Sequence, residues 1–549
     1  MSELNHVISK KNIILYLVLI LTLGLSLRFY YLPYDVPIAT DGFYSFVYAA
    51  KTVFEGNLPI GYGTTNTGWA NFLALFFSLS DTSDPFYLMQ IQRSLSVILS
   101  SLTIIPAFFI FRKFVNIRWA LFGCLLLIIE PRLLMSSLEG INYQLFFLLF
   151  VLVIALFLTK TKLTLFLSFG CIACATLVRY EGLLLLIPLS TMYFLKFKDK
   201  KSVVKFLGMI FIVIIILAPI SVLRIQATEN LCYETSFGVR CGSDGFTHNI
   251  LVGQRFLSHT LNAALGQEVS ETAIYLLNEN NEKTDNYAVL FVNKIIVSFS
   301  ALLKFIGLAL IPYFAFFVLY NIILRIKNKK SIKLDWDKKM IVFTASIMFL
   351  PALYAYMRGI EEIRYVLIII PLVCILSISW TNSISEKISK NLGVIIILMV
   401  LVLISSIIFI EFEKRDSIHD RESFLISQKI VELTNMTNSF HQSGYVKTAV
   451  LSSSWPVLPE ASQNGKPIHV FQKVSTNDYD DLAEFIIDSR KYDLRYLVVD
   501  EDNELFAALR INPTVYPYLI KIFDSDEVGY KNHFMIYEID YKLVGDNDK

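Results

Sequence analysis

The sequence predicts a mainly α, polytopic membrane protein of about eleven spans, followed by a small exterior α/β domain. Three observations carry this. The 549 residues are 55% hydrophobic and only 17% charged, and the mean hydropathy is +0.55, too apolar for a water-soluble chain of this size. Apolar runs of near-spanning length recur up to residue 411. Beyond it, polarity returns to ordinary values and a strand-like pattern begins.

Crossing about 30 Å of hydrocarbon takes roughly 20 helical residues. The apolar runs fall near 12–31, 86–111, 119–134, 141–159, 163–178, 180–195, 206–223, 295–324, 340–357, 364–381 and 391–411. The first is read as a retained helix, because it is long and lacks a small-residue cleavage site. Lysine placement resolves the ambiguous pairs. Leu163 to Leu195 is interrupted only by Arg179, Tyr180 and Glu181, and both of its flanks are basic: Lys160 and Lys162, then Lys196, Lys198, Lys200, Lys201 and Lys205. Basic loops stay cytoplasmic, so this segment goes out and returns as a hairpin. Trp119 to Leu158 and Met340 to Trp380 are bracketed in the same way. The N-terminus is therefore expected inside and the C-terminus outside.

That topology leaves the loops 32–84 and 225–293 and the segment 412–549 on the exterior. In the last segment, strands are expected at Lys447–Ser452, Pro467–Phe471, Arg495–Asp500, Leu519–Phe523 and Phe534–Glu538. A helix is expected over Tyr479–Ser489, with Leu482, Phe485 and Ile486 on one face. No glycine-rich phosphate loop or metal cluster is read there. Asn435-Met436-Thr437 is a candidate sequon on the same side. Cys124, Cys171, Cys174 and Cys374 lie in apolar runs and read as small buried hydrophobes. Cys232 and Cys241 share a polar exterior loop, where a disulfide is expected.

The net charge of +2 comes with neither a basic patch nor an acidic tail, which argues against a nucleic-acid partner. The position of the charges is more telling. Each hairpin carries them at its outward tip: Glu130, Arg132 and Glu139; Arg179 and Glu181; Arg358, Glu361, Glu362 and Arg364. Span interiors are nearly free of charge, apart from Arg93 and Lys304. For any single tip residue the plain reading is a solvated helix end. Taken as a set, these carboxylates and arginines suit a reaction between a phosphorylated lipid and an exterior acceptor. A transporter of lipid-linked sugars or other solutes is the alternative, and would place ionisable groups near the midplane. A receptor working through its exterior domain ranks third.

Residues 40–56 of the first exterior loop read as a surface amphipathic helix, closed by Gly56. Phe43, Phe46, Val47, Ala50 and Phe54 share one face, and Asp41, Tyr44, Ser45, Tyr48 and Glu55 the other. At the helix start, Asp41 is either an N-cap worth about 1 kcal/mol or a reactive carboxylate.

Several stretches together resemble the C-type (GT-C) glycosyltransferase superfamily. They are Asp41 after the first span, Ala49-Ala50-Lys51 through Gly56, the Arg93 helix and Pro131 to Glu139, with Leu177-Val178-Arg179-Tyr180-Glu181-Gly182 and Glu362-Ile363-Arg364-Tyr365. The layout of residues 12–411 most resembles glycosyltransferase family 39, the protein O-mannosyltransferase type with its dolichyl-phosphate-mannose-dependent prokaryotic relatives. The resemblance implies a catalytic membrane module at 1–411 with an appended domain at 412–549. It implies a polyprenyl-phosphate sugar donor, and an exterior protein, lipid or glycan hydroxyl as acceptor. By position Asp41 is the catalytic carboxylate. The family often has Asp-Glu where this chain has Asp41-Gly42, so Glu139 is the candidate second carboxylate. Tyr44, Arg93, Arg179, Glu181, Arg358 and Arg364 are the candidate substrate-binding residues, Arg179 and Arg364 for the carrier phosphate. A divalent Mg or Mn ion would rest on Asp41 and Glu139. The oligosaccharyltransferase branch carries Trp-Trp-Asp in its exterior domain and Asp-x-Asp in its first loop. This chain has neither.

Overall fold

The computed structural model describes residues 10–38, 40–55, 67–80, 84–198, 200–228, 232–235, 238–241, 287–312, 335–357, 362–384, 392–413, 482–490, 496–500 and 516–544, with short strands and single positions between them. Arg358 and Glu361 lie outside these residues. The chain divides into two compact units. The first comprises Met1–Leu32, Leu58–Asn71 and Arg93–Glu413; the second comprises Pro33–Asn57, Phe72–Gln92 and Lys414–Lys549.

The helices in chain order are α1 (Lys10–Tyr31), α2 (Thr40–Glu55), α3 (Gly68–Phe77), α4 (Pro85–Leu102), α5 (Ile104–Phe114), α6 (Ile117–Ile128), α7 (Pro131–Leu138), α8 (Tyr143–Thr159), α9 (Lys162–Val178), α10 (Leu186–Lys196) and α11 (Lys200–Thr228). They continue with α12 (Tyr287–Ala309), α13 (Trp336–Ile347), α14 (Leu350–Met357), α15 (Arg364–Leu367), α16 (Ile370–Ile384) and α17 (Leu392–Glu413). Among the described residues, five helical segments are long and apolar enough to cross a membrane: Lys11–Tyr31, Phe86–Phe114, Lys201–Val222, Trp336–Met357 and Ile395–Phe412. The bent pair α6 and α7 makes a sixth if it is one span. Eleven were expected. The difference arises because runs such as α8 and α9 have 17 residues each, and a helix of that length reaches about 26 Å.

The first hairpin departs from expectation at its tip. A 47° bend separates α6 from α7, and Pro131 opens α7, where its missing N–H costs nothing. Glu130 caps α7, its Oε2 accepting from the Leu133 N–H at 2.6 Å. Glu130 and Arg132 are therefore buried, not solvated, whereas Glu139 is exposed. Cys124 and Cys374 are buried as expected, but Cys171 is half-buried and Cys174 exposed; all four are free thiols. In the 225–293 loop, strands β1 (Cys232–Thr235) and β2 (Gly238–Cys241) pair antiparallel, with Cys232 opposite Cys241.

In the second unit, β3 (Lys447–Leu451), β4 (Ser462–Gln463), β5 (Lys466–Pro467), β6 (Gln472–Lys473), β7 (Tyr496–Asp500), β8 (Leu519–Asp524) and β9 (Phe534–Ile539) accompany α18 (Leu482–Ser489). Five strands form one sheet in the order β6-β3-β7-β9-β8. β3 runs parallel to β6 and β7, and β9 antiparallel to β7 and β8. The alternation along β7 sorts its side chains onto two faces. Leu497 and Val499 pack with Leu482, Phe485 and Ile486 of α18, while Tyr496 and Val498 pack with Ile426, Phe534 and Ile536. Burial on both faces explains why β7 reads as a continuous apolar run. Gly529 sits at φ +79° in the β8–β9 turn, a conformation that suits a residue without Cβ. Before it, partial burial tends to raise the Asp524 carboxyl, but hydrogen bonds from Lys521 and the Asp526 N–H hold it below its ordinary range.

The first-loop segment of this unit is tied to the start of α4. Gln90 Nε2 donates to the Tyr34 carbonyl at 2.9 Å, and Gln92 Nε2 to the Gly42 carbonyl at 2.8 Å. Phe46 of α2 packs on Phe77 at 6.0 Å between ring centroids. α2 is thus the expected amphipathic helix, and it begins at Thr40, one residue before Asp41.

Candidate functional site

The α8–α9 hairpin carries a polar cluster at each end. At one end, α9 stops at Val178 and Arg179 takes up an extended conformation before the 3-10 turn Tyr180–Leu185. Arg179 Nη2 reaches Glu181 Oε1 at 2.5 Å and Nε reaches the same oxygen at 3.2 Å. Arg179 Nη1 donates to Asn142 Oδ1 at 3.0 Å, and its guanidinium lies over the Tyr143 ring, 4.2 Å from the centroid. The side chains are 13% and 4% exposed, so this ion pair is shielded from water, unlike ordinary surface pairs. Arg364 and Tyr365 are within electrostatic range of Tyr143, and Tyr354 and Tyr365 of Tyr180. Arg364 forms its own ion pair with Glu362, and that pair is far more exposed.

Two glycines fix the position of Arg179. A Cβ on Gly182 would lie 2.6 Å from the Thr176 backbone nitrogen, and one on Gly68 would strike the Leu177 carbonyl. Both therefore press on the last turn of α9, just ahead of Arg179. Gly182→Ala or Gly68→Ala is expected to cost about 1–3 kcal/mol by overpacking and to lower the melting temperature in detergent. Gly307→Ala, with nothing within 4 Å of its Cβ, is the control and should leave the melt unchanged or slightly raised. Equal melts for all three variants would remove the close approach as the reason for these glycines.

At the other end of the hairpin the chemistry changes. Asp337 of α13 receives Lys160 at 2.6 Å and Lys113 at 3.7 Å. Lys160 lies 4.4 Å from the Trp336 ring centroid, and Phe157 stacks on the same indole. Three lysine-bearing turns expected on one side, those of Lys113, Lys160 and Lys196, thus gather around Trp336 and Asp337. With α8 about 26 Å long, the lysine cluster and the Arg179 cluster stand roughly a hydrocarbon thickness apart.

The remaining candidates are distributed as follows. Arg93 is buried, its Nε donating to the Leu138 carbonyl at 3.1 Å, next to Glu139 in sequence. Arg132 is buried and donates to the Ile311 carbonyl, with its guanidinium over Phe409. Asp41 and Tyr44 stand in the first half of α2, in the second unit. Lys304 is exposed. Among the described residues, no three of His, Cys, Asp and Glu gather closely enough to hold a metal ion. The structure brings together Arg179, Glu181 and the neighbourhood of Arg364.

Sequence reasoning missed Asn142 and Tyr143, which complete the Arg179 site, and it missed Arg28. Arg28 in α1 is 1% exposed, donating to the Ile128 and Gly24 carbonyls and to Ser100. A signal existed: an arginine in the last turn of an apolar span is costly unless it is partnered, but it reads like an ordinary helix flank. Nothing local marks Asn142 or Tyr143, whose role comes from a contact 37 residues along the chain.

No family model matches the sequence, and no curated protein matches it at a significant level. Solved structures do match. The oligosaccharyltransferase of Archaeoglobus fulgidus in its apo form is similar over 90% of this chain and 70% of its own, with a TM-score of 0.54 and 12% identity. The chain has the fold of this archaeal oligosaccharyltransferase. The same archaeal protein tethered to an acceptor peptide containing the NVT sequon gives a TM-score of 0.52 at 12% identity, over 90% of this chain and 69% of that one. Its complex with Zn and sulfate gives 0.50 at 10%, over 88% and 68%. At such identities the likeness is one of fold. These three structures are all of the one archaeal oligosaccharyltransferase.

Proposed function

We propose that this chain is a membrane glycosyltransferase that moves a sugar from a polyprenyl-phosphate carrier to an exterior hydroxyl with inversion. The observation that carries the proposal is the shielded Arg179–Glu181 pair, ringed by Tyr143 and Asn142 and neighboured by Arg364, in a chain with the fold described. In the reaction, the bond between the anomeric carbon and the phosphate oxygen breaks as the acceptor oxygen bonds to that carbon. The acceptor proton goes to Asp41, and the carrier leaves as its phosphate monoester. Arg179 and Arg364 offset the charge gathering on the departing phosphate. Glu139, Tyr44, Arg93 and Arg358 contribute to binding the two substrates. No step is routed through a metal, because Asp41 and Glu139 alone are too few ligands for Mg or Mn.

This reading includes eleven spans, the N-terminus in the cytoplasm, the segment 412–549 outside, and a Cys232–Cys241 disulfide. It favours monosaccharide transfer of the family 39 type over transfer of whole glycans, since the segment 412–549 has no Trp-Trp-Asp and the first loop, 32–84, has no Asp-x-Asp. Membranes containing the chain, supplied with radiolabelled polyprenyl-phosphate hexoses, should move label from the lipid to an acceptor and release one carrier phosphate per sugar. Transfer only from diphosphate-linked oligosaccharides would replace the monosaccharide reading. No transfer from either donor class would end the enzymatic one.

A further inference from the structure

We infer that Glu181 recognises a hydroxyl of the transferred sugar, through the carboxylate oxygen that Arg179 leaves unshared. Resting on the donor class proposed above, this inference gives Glu181 a task distinct from holding the phosphate.

The two oxygens of Glu181 are not equivalent. Oε1 takes both hydrogen bonds from Arg179, while the buried Oε2 accepts none among the described residues. A buried acceptor without a donor costs about 1–3 kcal/mol, and more when charged. Such groups in native structures call for an explanation. With Oε1 taken by the guanidinium, Oε2 is an acceptor open to a neutral O–H or N–H. A phosphate is excluded as its partner by like charge, and a divalent ion by the lack of companion ligands among the described residues. Sugar hydroxyls fit, and the aromatic surroundings of Tyr143, Tyr180 and Tyr365 suit a ring with one apolar face.

Arg179 also explains why the hydroxyl belongs to the donor sugar. A guanidinium has five N–H groups. Nε and one hydrogen of Nη2 go to Glu181, and one hydrogen of Nη1 goes to Asn142. One hydrogen remains on each Nη, the pairing that grips a phosphate bidentately. A phosphate held there would carry its sugar beside Glu181. Oε2 is covered in the ligand-free chain, so neighbouring side chains shift on binding and the sugar is then enclosed.

The test uses the full chain in nanodiscs and measures affinity for bare undecaprenyl phosphate, its mannosyl and glucosyl forms, and singly deoxygenated versions of the tighter of the two. In the unmodified chain, one deoxy carrier should bind about ten- to hundredfold more weakly than its parent. Glu181→Gln should erase that difference and leave bare undecaprenyl phosphate within about twofold, since the phosphate is held elsewhere. Equal losses for bare and hexosyl carriers would overturn the inference and leave the lipid-phosphate reading standing. An unmodified chain indifferent to every deoxygenation would overturn it as well, whether or not the variant folds. Failure of the unmodified chain to bind any carrier would bring down both.

Discussion

Arg179→Met is expected to destabilise the chain by about 3–5 kcal/mol and to abolish sugar transfer. The reason is the carboxylate left behind. Glu181 is 4% exposed on its side chain and Arg179 is its cationic partner, so the single change strands a buried carboxylate. The double variant Arg179→Met, Glu181→Leu should recover much of the lost stability, because well-packed apolar pairs often replace buried ion pairs at little cost. It should recover no transfer. Thermal melts and transfer assays on the two single variants and the double variant form a cycle. A pair that serves only the fold would regain activity along with stability, and that result would remove it from the site.

Asp41→Asn should lower transfer by about 10²- to 10⁴-fold, the range for removing a general base. This substitution separates the two readings of Asp41. Asn and Asp are equally good at a helix start, so a capping role predicts a near-silent change. An acidic residue in the first turn of a helix, the position Asp41 has in α2, is worth about 0.3–1 kcal/mol through the helix dipole. Asn loses that much and no more. An unchanged melt with lost transfer identifies a base; unchanged transfer identifies a cap. The bound donor's affinity should stay within a few-fold, since Asp41 acts on the acceptor's proton.

Much of the C-terminal sheet was legible because its strands are short, apolar and bounded by polar turns. The expected Lys447–Ser452, Arg495–Asp500, Leu519–Phe523 and Phe534–Glu538 appear as β3, β7, β8 and β9 within a residue or so. The expected strand at Pro467–Phe471 falls between β5 and β6, mostly outside the described residues. Leu482, Phe485 and Ile486 share one face as the helical period required. The site was legible only by type. Charges at hairpin tips could be picked out, but whether each is solvated depends on packing partners far along the chain. Glu139 is exposed, whereas Glu130 and Glu181 are buried. Periodicity also could not see the break at Glu130-Pro131, because both halves of the bent pair are apolar enough to read as one run.

The lysine cluster has a consequence for biogenesis. Lys113 and Lys160 emerge from the ribosome early, but their shared carboxylate, Asp337, is made roughly 180 residues after Lys160, about 10–35 s later at ordinary elongation rates. For that interval Lys113 and Lys160 lack this carboxylate, and the face of Phe157 that stacks on Trp336 is bare. The bundle's early half is thus finished by its late half, and a nascent chain halted before Trp336 has made α5, α8 and α9 without the latch that joins their ends.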